Sequence, residues 1–330
     1  MAGARKCCCD SCICPDGTKI SSDGTVEWIT HTVDSGVITV VDHEGPCITY
    51  WVDSDAGDQT ETGDGTELDP WININTVFAD ACIKHICTHQ DSPDGCPKVK
   101  ILTKGTIDYT VNGGSYNYGR NLIFEPWDVA TIEVSVSGAG TVYGVKNCVG
   151  VVWKNAEVGC ASTNGSGRGF QNCHSSIFDN CTGTGTGAGG YAHDYGTGFY
   201  SCYSSTFHDC DGTGTGVGIS IYYSYSSGFY SCYSSTFDNC NGVGNCTSYR
   251  YGRGSGFRSC YSSTFNNCEG DGTGTGLWEG SGYGFFWCYS STFDTCTGNG
   301  TGATVACGFD QNTDSSFLNC GPPYGGVCDV

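Results

Sequence analysis

The second half of the chain repeats a fixed order of hydrophobic and polar positions. In the clearest copies a Phe is followed by Cys at the third position, by a second Phe at the eighth and by a second Cys at the eleventh, with polar residues between them. This unit has no 3.6-residue apolar period, so it predicts strands and turns rather than helices. Seven copies, 24 to 30 residues apart, begin at Val145, Phe170, Phe199, Phe229, Phe257, Phe285 and Phe309.

The first and last copies depart from the pattern. In the first, Trp153 and Ala156 stand at the second Phe and second Cys positions, and in the last Asn312 replaces the first Cys. Atypical terminal copies are typical of solenoid proteins, whose stack of repeats ends at both sides. Each copy therefore predicts one strand–turn–strand coil, stacked on the next at about 4.8 Å. The predicted fold is all-β, a parallel β-helix or β-solenoid.

Two features of the repeat predict its turns. Asn or Asp precedes the second Cys in most copies, and both residue types tolerate the left-handed backbone region, so we expect a bend between strands there. Glycine-rich runs such as 212–216 are predicted to form the variable loop of each coil. The residues at the expected bend are Asn180, Asp209, Asn239, Asn267 and Asn319.

Composition excludes some functional classes. The formal net charge of −20 disfavours a phosphate-rich partner, so nucleic-acid binding is not expected. No apolar run is long enough to span a bilayer. Arg5 and Lys6 are not followed by an apolar segment, so we expect no secretory signal peptide. Aromatic residues make up 13% of the chain, which argues against disorder.

A segment of the first half resembles a known family. The runs 50–58, 63–66 and 70–74, with an acidic Gly-Thr loop followed by Pro70 and Trp71, resemble the opening motif of the right-handed parallel β-helix superfamily that includes pectate lyases and phage tailspikes. The resemblance implies a right-handed coil. It also implies a short helix that caps the open end of the stack, which would otherwise be an unpaired edge.

The resemblance also implies a division of the chain. Residues 1–47 would form a Cys-rich leader or anchor, residues 48–98 the opening motif with the capping helix at 72–86, and residues 99–330 the β-helix, with the repeat copies from about 144. The first coils are expected at three extended runs: Val99–Leu102, Asn121–Phe124 and Thr131–Val136.

Twelve of the 25 cysteines fall into two columns of the repeat. Neighbours in a column would have Cα atoms near 4.8 Å apart, which lies within the range of a disulfide, so both free thiols and disulfides are open. A straight column does not enclose a tetrahedral ion. The first thiol column is Cys148, Cys173, Cys202, Cys232, Cys260 and Cys288. The second thiol column is Cys181, Cys210, Cys240, Cys268, Cys296 and Cys320.

The leader concentrates further cysteines. A structural zinc site, disulfide cross-links to the cap or to another subunit, and an unligated cluster are all open for them, because spacing alone does not choose. The leader cysteines are Cys7, Cys8, Cys9, Cys12 and Cys14. Those of the capping region are Cys47, Cys82, Cys87 and Cys96.

Acidic residues give two candidate sites. Between the second Phe and the second Cys, one polar position per copy forms a column that could pair an acid with a base on adjacent coils, or could simply face solvent. Its members are Asp179, His208, Asp238, Asn266 and Asp294. Separately, Asp53, Asp55 and Asp58 are a candidate calcium loop, although this loop also belongs to the opening motif.

Four tyrosines occupy another column, preceded by His174. Exposed tyrosine rings suit stacking on sugar rings, whereas a ladder that stacks on itself is the alternative. The tyrosine ladder is Tyr203, Tyr233, Tyr261 and Tyr289.

The expected function is structural and non-enzymatic. Regular copies without a local break predict a spike or fibre subunit of a virion-like particle or extracellular filament, assembled as a homo-oligomer or polymer and attaching to surface glycans. Two alternatives remain: a tailspike-type polysaccharide lyase or glycoside hydrolase, and a carbohydrate-binding adhesin at a cell surface. The resemblance does not separate them, because this architecture carries enzymes, adhesins and inert spikes alike.

Overall fold

Three parallel sheets make up most of the described protein. The structure is a computed structural model that describes residues 32–34, 37–39, 48–55, 65–79, 99–114, 122–189, 195–218 and 223–320.

Its first elements are β1 Thr32–Asp34, β2 Val37–Thr39, β3 Ile48–Asp53, α1 Ile74–Ala79, β4 Val99–Lys104, β5 Thr106–Ile107, β6 Val111–Asn112, β7 Leu122–Pro126, β8 Ile132–Gly138, β9 Val142–Lys146, β10 Val151–Lys154, β11 Ala156–Ser162, β12 Gly167–Gln171, β13 Ile177–Asp179 and β14 Thr182–Gly189. The others are β15 Tyr195–Tyr200, β16 Thr206–His208, β17 Asp211–Gly218, β18 Tyr223–Tyr230, β19 Thr236–Asp238, β20 Asn241–Ser248, β21 Tyr251–Arg258, β22 Thr264–Asn266, β23 Glu269–Thr275, β24 Glu279–Phe286, β25 Thr292–Asp294, β26 Thr297–Gly302, β27 Val305–Asp310 and β28 Ser316–Leu318.

From β4 onward, every third strand along the chain is a neighbour in the same sheet, and β3 pairs directly with β4. Sheet 1 has the order β3-β4-β7-β10-β13-β16-β19-β22-β25-β28, sheet 2 the order β5-β8-β11-β14-β17-β20-β23-β26, and sheet 3 the order β6-β9-β12-β15-β18-β21-β24-β27. Three consecutive strands therefore make one coil, and β1 and β2 form a separate antiparallel pair. The parallel β-helix predicted from the repeat is confirmed.

Two ladders of stacked phenylalanine rings fill the interior. In sheet 1 the rings of Phe207 and Phe237 stack at 4.8 Å, and in sheet 3 those of Phe229 and Phe257 stack at the same distance. The ladders meet edge to face, with Phe229 and Phe237 at 5.3 Å and 80°. Both arrangements suit the ring quadrupole, and each fully buried ring contributes about 1.5–3 kcal/mol through the hydrophobic effect.

The predicted bends are present at the corner between sheets 1 and 2. All five predicted residues have φ between 48° and 56°, in the left-handed region. Thr295 takes the same conformation in the copy that lacks Asn or Asp there. The corner between sheets 3 and 1 uses two left-handed residues per coil, and in three coils both of them are serines, as at Ser231 and Ser234.

The glycine-rich runs are strands, so their prediction as variable loops is wrong. Residues 211–218 form β17, in which Gly and outward-facing residues alternate with the period of a strand. Sheets 2 and 3 approach so closely here that a Cβ on Gly214 would lie 2.3 Å from the carbonyl oxygens of Gly196 and Ser227. Glycine is therefore required by the close approach of two backbones rather than by a turn.

The helix begins later than predicted. Helix α1 starts at Ile74, two residues after the expected start, and buries Ile74, Val77 and Phe78. The Phe78 ring lies 5.5 Å from Phe124 of β7, so the helix packs on the interior at the first coils. The remainder of the predicted helix, residues 80–86, lies outside the described residues. The three predicted early strands are present as β4, β7 and β8.

A column of buried serines, the serine ladder, forms hydrogen bonds with backbone N–H and C=O groups inside the corner between sheets 3 and 1. The buried Ser205 Oγ donates to the carbonyl oxygen of Cys173 at 3.1 Å and accepts from the backbone N–H of Ser176 at 3.2 Å. The same pair of bonds recurs in the next coil at Ser235, at 3.5 and 3.1 Å. Because buried polar groups are costly unless paired, this ladder ties each coil to its neighbours.

Candidate functional site

The acid–base column predicted from the sequence is present on the outer face of sheet 1. Parallel register places Asp179 beside His208, and His208 beside Asp238. Asn266 and Asp294 continue the column through the next two coils. Each of these side chains points outward because the Phe that precedes it in the strand points inward, as strand alternation requires.

His208 lies among three carboxylates. Its Nδ1 is 3.2 Å from Asp179 Oδ1 and 3.2 Å from Asp209 Oδ2, and its Nε2 is 3.7 Å from Asp238 Oδ2. The four side chains are between 42% and 49% exposed, so water screens these pairs.

Charges alternate along the same column. Register extends it back through Lys154 to Glu125, so acidic members are separated by Lys154, by His208 or by the neutral Asn266. Adjacent coils place column neighbours about 4.8 Å apart, where like charges are destabilising. The His–Asp contacts follow from this register, which places His208 between two acidic residues.

Sequence reasoning missed the charged start of this column. Glu125 accepts from Lys154 Nζ at 2.7 Å and forms an ion pair with Lys100. Burial raises the pKa of Glu125, but the hydrogen bonds and charges of Lys100 and Lys154 outweigh it and hold that pKa below its usual range. Because residues 99–136 do not show the repeat, no pattern in the sequence aligns these three residues.

The tyrosine ladder stacks on itself. The rings of Tyr203, Tyr233, Tyr261 and Tyr289 follow one another at 4.9 to 5.0 Å, nearly parallel, and His174 stacks on Tyr203 at 3.5 Å. The inner rings therefore present edges to solvent while their faces are occupied. Tyr289, at the end of the ladder, is 42% exposed.

Both thiol columns lie inside the coils. Every member is a free thiol, and all are buried except Cys320, which is half-buried at the last coil. Burial raises the pKa of Cys202, Cys210 and Cys288 well above the usual thiol value. These thiols are therefore protonated at neutral pH and are poor nucleophiles.

The candidate calcium loop is only partly described. Asp53 Oδ2 pairs with Lys104 Nζ at 3.0 Å, and Asp53 Oδ1 accepts from the backbone N–H of Asp55 at 3.2 Å. An ammonium group therefore already faces the Asp53 carboxylate, which does not favour a second cation there. Asp58 lies outside the described residues. So do the leader cysteines Cys7, Cys8, Cys9, Cys12 and Cys14, and the four cysteines of the capping region.

A groove that the sequence did not indicate lies beside this loop. It has a volume of about 530 Å³, and its lining includes Asp53, Asp55, Lys104 and Glu133. The Lys104 ammonium also lies 4.1 Å from the centre of the Trp127 ring. The groove belongs to the early coils, where the repeat pattern is absent and residue columns cannot be aligned from sequence.

Metal-binding clusters, membrane-spanning helices and known relatives assign no further role to the described residues. Among the residues that the structure describes, no group of three or more His, Cys, Asp or Glu side chains is arranged to hold a metal ion. Within the same ranges, no helix combines the length and hydropathy needed to cross a membrane. No protein-family model, curated protein or solved structure matches the chain.

Proposed function

We propose that this chain is a non-enzymatic structural subunit, the rigid rod of a spike or fibre on a virion-like particle or in an extracellular filament. The observation that carries this proposal is the continuity of the interior. Stacked phenylalanines run from Phe170 to Phe309 in sheet 3 and from Phe178 to Phe317 in sheet 1, at 4.8 to 4.9 Å throughout. A uniform stack suits mechanical stiffness and offers no coil that is specialised for chemistry.

The outer columns support the same proposal. The charge alternation from Glu125 to Asp294 stabilises the stack without requiring a substrate, and the His208 cluster lies on an open face that water reaches. Catalytic acids and bases commonly lie in clefts where burial and neighbouring charges tune them, whereas this cluster is open to water. We further propose homo-oligomeric or polymeric assembly, and membership in the pectate-lyase-like superfamily, which rests on the opening motif.

A polysaccharide-degradation assay tests the non-enzymatic proposal. Purified chain is incubated with a panel of acidic and neutral polysaccharides, and released reducing ends and unsaturated products are measured. We expect no release above that of heat-inactivated chain. Release that is lost in Asp238→Asn or His208→Ala, but kept in Asn266→Ala from the same column, would instead establish the lyase or glycoside hydrolase alternative.

Glycan attachment is a second candidate function, favoured by the tyrosine ladder. Its hydroxyl edges and the end ring Tyr289 face solvent, so a saccharide could bind across the edges or on that ring. Glycan-array binding should be lost in the Tyr233→Ala/Tyr261→Ala double variant. The matched Tyr233→Phe/Tyr261→Phe variant keeps the stack and removes only the hydroxyls. Binding that is equal in all three proteins would remove the tyrosine ladder as the glycan site.

A further inference from the structure

The thiol columns have a regular geometry that the proposed structural role does not use. In the first thiol column, Cys232 Sγ donates to Phe199 O at 3.6 Å and to Tyr230 O at 3.5 Å. Cys260 and Cys288 make the same two contacts one and two coils further along, at 3.4 to 3.8 Å. Identical contacts in successive coils mean that each sulfur is displaced from the next by one coil.

The coil spacing sets the distance between neighbouring sulfurs. Stacked rings in the adjoining phenylalanine ladders repeat at 4.8 to 4.9 Å, which is the spacing of parallel strands. A disulfide needs Cβ atoms about 3.8 Å apart, so closing one would pull two coils together by about 1 Å. The backbone hydrogen bonds on both sides of the corner, such as Ser231 N to Arg258 O at 3.0 Å, oppose that movement.

A linear sulfur–metal–sulfur unit is long enough to join two cysteines that lie one coil apart, whereas a disulfide is too short to do so without moving the coils. A metal–thiolate bond is about 2.3 Å long, so two such bonds in a line span about 4.6 Å. Soft cations prefer thiolate ligands. Among divalent cations, Hg²⁺ commonly takes two thiolates in a line, whereas Zn²⁺ takes four ligands. The cysteine side chains point into the coil across its axis, so an ion between two stacked sulfurs lies along the axis, with each carbon–sulfur bond roughly perpendicular to the metal–sulfur bond.

The surroundings select the charge of the cation. The sulfurs of Cys202, Cys232, Cys260 and Cys288 donate to backbone carbonyl oxygens. Two thiolates with a divalent cation form a neutral unit, whereas a monovalent cation would leave a buried negative charge. Binding forms two sulfur–metal bonds and breaks the covalent S–H bonds of two thiols. The two protons are released to solvent, and no oxidation state changes.

We propose that adjacent thiols of each column form two-coordinate sites for a divalent soft cation of the Hg²⁺ type. Each thiolate serves one ion, so a column binds ions between alternate pairs of coils, and filled sites cross-link neighbouring coils without unfolding them. The pair Cys296 and Cys320 fills first, because Cys320 is the only column member that is not fully buried. The other pairs fill as coils open transiently at the end of the stack.

Mercury titration of the full chain tests this site. The chain is freed of reductant and titrated with HgCl₂, and bound ions are counted by native mass spectrometry while thermal unfolding is followed by circular dichroism. We compare the wild type with Cys296→Ser/Cys320→Ser and with the control Cys160→Ser, which removes a buried thiol outside both columns. Cysteines outside the described residues contribute equally to all three proteins, so the differences report on the columns.

We expect the double variant to bind one Hg²⁺ fewer than the wild type, and Cys160→Ser to bind the same number. The unfolding temperature of the wild type should rise on binding, by more than that of the double variant. Equal stoichiometry in the double variant and the wild type would overturn the proposal. So would loss of the β-sheet spectrum on binding, or peptide mapping of the purified chain that finds the column cysteines already joined in disulfides.

Discussion

At the scale of single residues, backbone conformation and burial explain which residue types stand at positions where the copies of the repeat differ. The left-handed corner between sheets 1 and 2 was predictable because Asn and Asp mark it in most copies. Asn side chains also link across coils there, as Asn267 Nδ2 donates to Asn239 Oδ1 at 2.8 Å. Thr295 interrupts both features, because it is β-branched at φ 55° and has no amide.

Replacing Thr295 by Asn should therefore stabilise the protein. Asn adopts the left-handed region at lower cost, and its amide can extend the column between Asn267 and Asn319, so we expect a gain of about 1 kcal/mol. Thermal unfolding of Thr295→Asn and of the control Thr292→Asn checks this. Thr292 lies in β25 with an outward side chain, so the control should gain nothing. Equal behaviour of the two variants would contradict the role assigned to this corner.

His174 gives the stability of the protein a dependence on pH. Burial disfavours the imidazolium form and lowers the pKa of His174 below its usual value, despite an opposing effect of Cys173. The unfolded chain therefore binds this proton more readily. Stability should be lost as the pH falls below about 6.5, the pKa of an unperturbed histidine.

His174→Tyr should remove this contribution, because the other members of that column are tyrosines. The fall in unfolding temperature between pH 7 and pH 5 should be smaller in the variant than in the wild type. The other histidines are present in both proteins, so their contributions cancel in the comparison. An unchanged or steeper fall in His174→Tyr would show that burial of this imidazole does not control the pH dependence.

At the scale of elements, the sequence predicted the strands marked by Phe and Cys but missed those marked by glycine. Glycine is depleted in strands, so the run at 212–216 indicated a loop. Its alternation with Thr is nevertheless the period of a strand, and the glycines face another sheet at backbone contact distance. The predicted solenoid, bends and columns depend on the repeat. The groove at Lys104 and the charged start of the column at Glu125 lie where no repeat exists to align them.

Gly214→Ala should destabilise or prevent folding. A Cβ there would lie 2.3 Å from two carbonyl oxygens of sheet 3, and overpacking against backbone has no flexible neighbour to relieve it, so we expect a loss of about 3 kcal/mol or more. Thr213→Ala, one residue away with its side chain outward, should cost less than about 1 kcal/mol. Similar unfolding temperatures for the two variants would mean that sheets 2 and 3 are not packed backbone to backbone.

Asn266→Asp tests the charge alternation of the outer column. The substitution places three carboxylates in succession, at Asp238, position 266 and Asp294. Repulsion between like charges on adjacent strands should lower stability by up to about 1 kcal/mol at pH 7. The loss should disappear below about pH 4, where carboxylates are protonated. A loss of stability that persists at pH 3 would point to a packing effect instead of charge.

At the scale of the whole molecule, the repeated coils share one internal arrangement. Phenylalanine rings, thiols and serine hydroxyls each repeat along the coil axis. The column from Glu125 to Asp294 places no two acidic residues side by side, whereas Glu133 and Glu157 are neighbours in sheet 2. Such a stack has stiffness along its axis. We expect that rod to act as part of a larger assembly, in which the leader cysteines serve as an anchor or cross-link.

The mass and shape of the native particle test this structural role most directly. Light scattering and negative-stain microscopy of the full chain, with and without reductant, would measure both. We expect rods joined into discrete spikes or longer filaments, with a mass several times that of one chain. Reductant-dependent dissociation would assign the leader cysteines to cross-links. Isolated rods of single-chain mass at all concentrations, unaffected by reductant, would contradict the proposal that this protein is a fibre or spike subunit.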